Sequence, residues 1–188
     1  MKWFKGIATL SSPRSSSDRY LAIAAVLAIF AARAQTNEPL PPPTHQHGVA
    51  NLTVALQGQR LAFGFDSPAV NLTGFEHAPQ SEAQQRAASY AKGQLQHAPR
   101  LFITSPGANC RLFSTQVDEP TWDRDVDHHD YRARYVFQCQ RPQQLQSIDV
   151  RLINQLAPGT KLQTEVVVGN ARQSVELSAS RTTVRIPP

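Results

Sequence analysis

The sequence is poor in cysteine and has no long apolar run. Its two cysteines, Cys110 and Cys139, are far apart in the chain, which disfavours a zinc site built from clustered cysteines. The longest uninterrupted apolar stretch, residues 21–32, has twelve residues, whereas a membrane-spanning helix needs about 20. An uncleaved membrane anchor is therefore the weaker interpretation of that stretch.

Catalytic and nucleic-acid-binding signatures are also missing. The sequence contains no glycine-rich phosphate loop, no GxSxG or HExxH motif and no calcium-binding loop. We therefore expect a protein that is not an enzyme. Beyond the first 34 residues there is no concentrated basic segment of the kind that nucleic-acid binding requires, so we expect no nucleic-acid partner.

The first 34 residues have the parts of a secretory leader. Four basic residues against the single acid Asp18 precede the apolar stretch, and Ala32-Arg33-Ala34 then offers small residues where signal peptidase needs them. We predict a signal peptide over residues 1–34, export of the protein, and no stable membrane span after cleavage. Cleavage removes five basic residues and one acid, so the formal charge falls from +5 to +1.

Composition divides the remaining chain into a spacer and one domain. Residues 35–44 hold four prolines among polar residues, which favours a stiff polyproline II segment. Residues 45–188 are numerous enough to form a single domain with its own core.

In an oxidising compartment the pair Cys110 and Cys139 most often forms a disulfide, and zinc ligation by both thiolates is the alternative.

Alternating apolar and polar residues predict a domain made mainly of antiparallel strands. Two strands flank a tight turn at Gln57-Gly58-Gln59. Further short segments have β-branched or alternating character, at residues 101–104, 110–116, 131–140, 148–153, 161–168, 174–177 and 182–186. On one of these, Tyr131, Ala133, Tyr135 and Phe137 are predicted to share one face.

One helix is predicted, over residues 81–95, where Ala, Gln and Glu are frequent and β-branched residues are absent. Its weakly apolar face, which should lie against a sheet, consists of Ala83, Ala87, Tyr90, Ala91 and Leu95. The fold class is thus α+β: a mainly antiparallel β domain, sheet or sandwich, with one helix near residues 81–95.

Paired histidines suggest metal chemistry. His45 and His47 are two residues apart, and in an extended backbone their rings would face the same side and could share one ion. Imidazole is a common zinc ligand. The alternative is a solvated pair on a flexible segment, because a lone HxH pattern recurs by chance.

Two further loci carry potential metal ligands. In the turn before the helix, Glu76 and His77 could bind a metal directly or orient an imidazole, or they could serve only as a helix-dipole partner and a turn residue. Between the cysteines, His128 and His129 lie in an acidic loop over residues 123–130 that could capture zinc. The alternative is an ordinary solvated acidic loop.

Together these residues resemble a known family pattern. The run His45-Gln46-His47-Gly48-Val49-Ala50 and the block Gly74-Phe75-Glu76-His77-Ala78-Pro79 are similar to the ZrgA-like family of zinc-regulated bacterial periplasmic proteins. The similarity extends over nearly all of the chain after residue 44 and includes Leu52, Ser67-Pro68-Ala69, Asn71-Leu72, Cys110, Tyr135, Cys139, Pro142, Leu145, Pro158-Gly159, Gln173 and Leu177.

The resemblance implies a zinc-binding protein of the Gram-negative periplasm that serves zinc uptake or homeostasis without enzymatic activity. It implies Zn(II) as the bound ion, with other divalent transition metals as alternatives, and an envelope zinc-uptake component as a partner. It marks His45, His47, Glu76 and His77 as distinctive positions. The alternative is an envelope interaction module without metal, in which the histidines are incidental.

One departure from the family bears on metal capacity. Such proteins often carry a long repeat of His, Asp and Glu between the two cysteines. This chain keeps only His128, His129 and neighbouring acids there. The difference argues against storage of many zinc ions.

Overall fold

Two β-sheets and a helix of 14 residues make up the fold. The computed structural model describes residues 46–122 and 129–187. The strands are β1 (Val49–Gln57), β2 (Arg60–Pro68), β3 (Phe102–Thr104), β4 (Cys110–Asp118), β5 (Asp130–Cys139), β6 (Ser147–Val150), β7 (Lys161–Val168), β8 (Ala171–Leu177) and β9 (Thr183–Arg185). The α-helices are α1 (Val70–Thr73), α2 (Glu82–Leu95) and α3 (Ala98–Leu101), and turns of 3-10 helix lie at Pro106–Ala108, Pro142–Gln144 and Arg151–Gln155.

The larger sheet brings the starts of three strands together. Its strand order is β4-β5-β2-β1-β7-β8, and the smaller sheet has the order β3-β6-β9. Neighbouring strands are antiparallel except β1 and β7, which are parallel. The starts of β1, β5 and β7 and the end of β2 therefore meet at one end of the large sheet, which we call the entry end.

The predicted α+β class is confirmed, and so is the alternation on β5. Tyr131, Ala133, Tyr135 and Phe137 are all buried. The intervening residues face the other side of the sheet, because successive side chains of a strand point to opposite faces. The buried face contributes to one core that also contains residues of the smaller sheet.

Aromatic rings join the two sheets. Phe102 of β3 stacks on Phe63 of β2, with ring centroids 4.0 Å apart, and meets Tyr135 of β5 edge-on at 5.1 Å. Large rings bury much apolar area, and such pairs add roughly 0.5–1.5 kcal/mol beyond the effect of burial. These ring contacts, which lie in the core, therefore hold the smaller sheet against the larger one.

The helix α2 is anchored by tyrosines of the sheet. Ser81 caps its start by accepting a hydrogen bond from the Gln84 backbone N–H. The hydroxyl of Tyr131 donates to the carbonyl of Ala88, and that of Tyr135 donates to the carbonyl of Leu95. Burial raises the pKa of Tyr131 to about 12 and raises the pKa of Tyr135 further, so both hydroxyls remain donors.

The predicted apolar face of α2 was only partly right. Ala91 and Leu95 are buried, but Tyr90 is 66% exposed and Ala83 is also exposed. The contact face of α2 is thus narrower than predicted, and two tyrosines of β5 add hydrogen bonds to the helix carbonyls there.

Other differences from the predicted elements have local causes. The strand predicted over residues 148–153 ends at Val150, where a 3-10 turn begins and places both Leu152 and Ile153 in the core. The short helices α1 and α3 were not predicted, because four residues are too few to show a helical period. The parallel pairing of β1 with β7 likewise leaves no trace in local sequence.

Cys110 and Cys139 form a disulfide, as predicted. The two residues lie directly opposite each other where β4 begins and β5 ends. Zinc ligation by their thiolates, the alternative considered from the sequence, is therefore wrong for this state of the protein.

The leader, the proline spacer, His45 and the loop residues 123–128, which include His128, lie outside the described residues. The boundaries at residues 34 and 44 stay predictions. In the described part of the chain, no helix is both long and apolar enough to cross a membrane.

The disulfide generates a stability prediction. Replacing both Cys110 and Cys139 by serine removes a cross-link between residues 29 apart. In the chain-entropy model the free energy of unfolding should fall by roughly 3–4 kcal/mol, measured by urea denaturation. Dithiothreitol should destabilise the wild-type protein similarly and leave the double variant unchanged. A loss below about 1 kcal/mol would contradict this assignment of stability.

Candidate functional site

The entry end of the large sheet carries a tight connection that exposes Glu76 and His77. After β2 the chain makes the single turn α1, which Gly74 ends in a left-handed conformation with φ +84°. Glycine suits this position because it has no Cβ to clash there. Phe75 then buries its ring, with 9% exposed, and the two polar residues that follow remain at the surface.

A buried amide joins this connection to the start of β1. Asn71 of α1 is 3% exposed, and its Oδ1 accepts a hydrogen bond of 2.9 Å from the backbone N–H of Gly48. Its Nδ2 donates to the carbonyl of Val49 at 2.9 Å and to the Ser67 hydroxyl at 3.2 Å. Three strand or turn segments are therefore fixed to one another by a single side chain.

The result of this connection is a contact between two of the predicted loci. His47 Nε2 lies 2.6 Å from Glu76 Oε2. The His47 side chain is 71% exposed and that of Glu76 is 27% exposed, so the pair sits at the surface. A carboxylate oxygen accepts hydrogen bonds, so Nε2 carries the proton, and in the neutral ring Nδ1 has the free lone pair.

His47 lies in a turn, not in an extended strand. Residues 47 and 48 form the turn, and the backbone N–H of Val49 donates to the carbonyl of Gln46 at 3.0 Å. Rings two residues apart face the same side only in extended backbone, and His47 does not have that conformation. The position of His45 relative to this ring lies outside the described residues.

His77 presents one ring nitrogen outward. Its Nδ1 lies 2.9 Å from the carbonyl of Ala78, which can only accept, so Nδ1 is the protonated nitrogen. The ring packs against Phe75 with centroids 5.3 Å apart. The lone pair of the neutral ring is then on Nε2, and the residue is exposed.

His129, at the edge of the acidic loop, belongs to the same end of the sheet. Its backbone carbonyl accepts from the N–H of Ala69, at the start of α1, at 2.7 Å. Its Nδ1 lies 2.7 Å from the carbonyl of Thr121, and its ring contacts Trp122 at 5.1 Å. The ring of Trp122 in turn lies 6.1 Å from that of Phe75. Aromatic contacts therefore link the acidic-loop locus with His129 to the locus of Glu76 and His77.

The described residues do not complete a metal site by themselves. Within residues 46–122 and 129–187, no three His, Cys, Asp or Glu side chains are grouped closely enough to hold an ion. His47 and Glu76 touch, while His77 and His129 stand apart from them at the same end of the sheet. Metal ligation by His45, His47, Glu76, His77, His128 and His129 therefore stays a prediction.

The hydrogen bonds of these histidines have a common form. In His47, His77 and His129 one ring nitrogen donates to a carboxylate or a backbone carbonyl, and the other nitrogen keeps its lone pair. Histidines that bind metals almost always have such a donor bond on the nitrogen that is not ligated, because it fixes the tautomer and the ring direction. The arrangement suits the capture of a divalent ion.

Sequence reasoning missed two residues of this region. Asn71 was noted only as part of the family resemblance, with no role assigned to it, although a polar residue between Ala69 and Leu72 could have suggested a buried hydrogen-bonded amide. No local pattern indicates that Trp122 belongs to this region, because its contacts with Phe75 and His129 join segments far apart in sequence.

A comparison with family models identifies the chain over most of its length. The model described as ZrgA family zinc uptake protein matches residues 44–186. No curated protein matches the chain. The matched range begins just before the paired histidines and includes every helix and strand of the described residues. The chain therefore belongs to the ZrgA family of zinc uptake proteins.

Proposed function

We propose that this protein is exported to the periplasm and binds Zn(II) there as an accessory to zinc uptake or homeostasis, without enzymatic activity. Membership of a zinc uptake family and a leader-like N-terminus support this proposal. The disulfide is also compatible with an oxidising compartment. The observation that carries the proposal is the contact between His47 and Glu76, which joins the two distinctive motifs of the sequence.

In this proposal His47 binds zinc through Nδ1, and Glu76 supports it. The carboxylate already holds Nε2 at 2.6 Å, which is the arrangement of a carboxylate–histidine–zinc triad. Further nitrogens would come from His77, whose ring must move closer to His47 when the ion binds, and from His45, which precedes the turn in sequence. Zinc prefers four ligands, and a surface site completed by water or by an acidic side chain favours exchange over permanent storage.

The acidic loop adds a second source of ligands at the same end of the sheet. His129 is fixed beside α1 and directs Nε2 away from the backbone carbonyl that holds Nδ1. With His128 it would supply nitrogens to an ion delivered from the His47 site, or to other divalent transition metals. An envelope component of zinc uptake would take the ion from this end.

Calorimetric zinc titration tests the site directly. Replacing both His47 and His77 by alanine should weaken zinc affinity by at least about 100-fold, because ligand loss exceeds the 10–100-fold effect of changing supporting residues. His97→Ala is the matched control, since His97 is exposed and lies at the end of α2. Equal zinc binding by all three proteins would reject the site.

The supporting role of Glu76 has its own test. Glu76→Gln keeps the size of the side chain but removes the charge that strengthens the hydrogen bond from His47. We expect zinc affinity to fall by on the order of tenfold in calorimetry. Glu82→Gln, which removes an exposed carboxylate from α2, should leave affinity unchanged. If both variants bind zinc like the wild type, Glu76 does not support the ligand.

Thermal melting separates this proposal from the interaction module without metal. A ligand that binds only the native state must raise the melting temperature with its concentration. Zinc should therefore stabilise the wild-type protein and have little effect on the variant lacking His47 and His77. Absence of any zinc-dependent rise in the wild type would favour the module in which the histidines are incidental.

The buried amide of Asn71 makes a prediction that links stability to the site. Asn71→Ala leaves the N–H of Gly48 and the carbonyl of Val49 without their present partner, which costs about 1–3 kcal/mol of unfolding free energy. The turn that carries His47 should also loosen, and zinc affinity should fall.

The control for Asn71 is a comparable hydrogen-bonding side chain elsewhere. Ser105 accepts from the backbone N–H groups of Gln146 and Ser147, away from the entry end. Ser105→Ala should lower stability while leaving zinc affinity and the NMR signals of the His47 ring unchanged. If Asn71→Ala also leaves those ring signals unchanged, the amide does not position His47.

A further inference from the structure

Three arginines cluster on the face of the large sheet that α2 does not cover. The strand register places Arg60 of β2 and Arg111 of β4 on either side of Gln138 of β5. Arg134, four residues earlier on β5, faces the same side, and all three are exposed. From strand geometry, Arg60 and Arg111 are about 10 Å apart across the sheet, and Arg134 lies about 13 Å along it.

These arginines have no acidic partners among the residues that the structure describes. Arg132, one row further along β5, is by contrast held by Asp66 at 2.9 Å and by Asp130 at 3.4 Å. Because these three guanidinium groups have no acidic partners in the described part of the chain, they form a local positive region on this face. The formal charge of the chain after the leader is small by comparison. Such a region attracts anionic groups.

An exposed aromatic ring and an open strand edge lie beside this region. The register of β4 against β5 shifts between Leu112 and Ser114, so Phe113 is the extra residue of a β-bulge. Phe113 is 73% exposed. In the described sheet β4 is the terminal strand, so its outer backbone edge faces no other strand there. We call Arg60, Arg111, Arg134 and Phe113 the arginine corner.

We propose that the arginine corner and the open edge of β4 dock an extended acidic segment of a partner protein, which adds to the sheet beside β4. Charge complementarity selects an acidic partner. The open edge selects a polypeptide, because backbone groups of a strand are satisfied by another strand and not by lipid headgroups. Carboxylates four residues apart in an extended segment span about 13 Å, the distance from the row of Gln138 to Arg134.

The arginine corner is distinct from the histidine region, by which we mean His47, Glu76, His77 and His129 at the entry end. Arg60 begins β2, while Asn71, Glu76 and His77 follow the end of that strand, roughly 27 Å further along it. A docked partner at the corner would leave the histidines accessible. The interaction and zinc binding can therefore be tested separately, and failure of one does not decide the other.

The test uses a synthetic peptide of alternating glutamate and valine, titrated into the purified protein at low salt. The variant Arg60→Gln, Arg111→Gln, Arg134→Gln should bind it on the order of tenfold more weakly, because each exposed ion pair contributes a few-fold. The matched control, Arg86→Gln, Arg151→Gln, Arg172→Gln, loses the same charge from arginines that already have acidic partners, and should bind like the wild type.

Two further measurements locate the contact. Phe113→Ser should weaken peptide binding without changing the fold seen by circular dichroism, and bound peptide should slow hydrogen exchange of the β4 amides. Equal weakening by both triple variants would show an unspecific charge effect and overturn the proposal. Binding of phosphatidylglycerol vesicles through the same arginines, with no binding of the peptide, would also overturn it and would assign the corner to a membrane surface.

Discussion

The histidine region depends on one buried side chain. Asn71 accepts a hydrogen bond from the backbone N–H of Gly48 and donates hydrogen bonds to the carbonyl of Val49 and the hydroxyl of Ser67. Burial makes these bonds costly to break, since an unpaired polar group away from water loses its solvation without compensation. The turn that carries His47 is thus tied to the helix α1, and Glu76 follows that helix closely enough to reach the imidazole.

The surface pair of His47 and Glu76 is held by hydrogen bonds to its side chains and to the neighbouring backbone. His47 is largely exposed, yet Asn71 holds the backbone of the next residue, Gly48, and the carboxylate of Glu76 holds the ring. His77 and His129 are likewise oriented by backbone carbonyls. In the proposed function, orientation fixed in advance would lower the entropic cost of binding an ion, and exposure would keep the ion exchangeable. Both properties would suit the proposed carrier role better than storage.

Local sequence patterns predicted much of the fold and less of the site. Alternation identified the buried face of β5, and the composition of residues 81–95 identified α2, because each depends on the period of a single element. The parallel pairing of β1 with β7 and the burial of Leu152 in a 3-10 turn depend on distant residues. They could not be inferred from a local period.

For the site, the sequence identified residue types and missed their connections. His47 and Glu76 were singled out as separate motifs, and their contact across 29 positions follows from the end of β2 returning beside the start of β1. The roles of Asn71 and Trp122 were missed because each acts through contacts between distant segments. The extended geometry expected for His47 was wrong, because a hydrogen bond from Val49 to Gln46 makes a turn there.

Anomalous diffraction at the zinc edge, on crystals grown with zinc, tests the central claim most directly. We expect a peak at the entry end of the sheet, about 2.0–2.1 Å from Nδ1 of His47. Glu76 should remain hydrogen-bonded to Nε2 of the same ring. Zinc bound elsewhere on the protein, with the ring of His47 free of metal, would contradict the proposal that His47 is a zinc ligand.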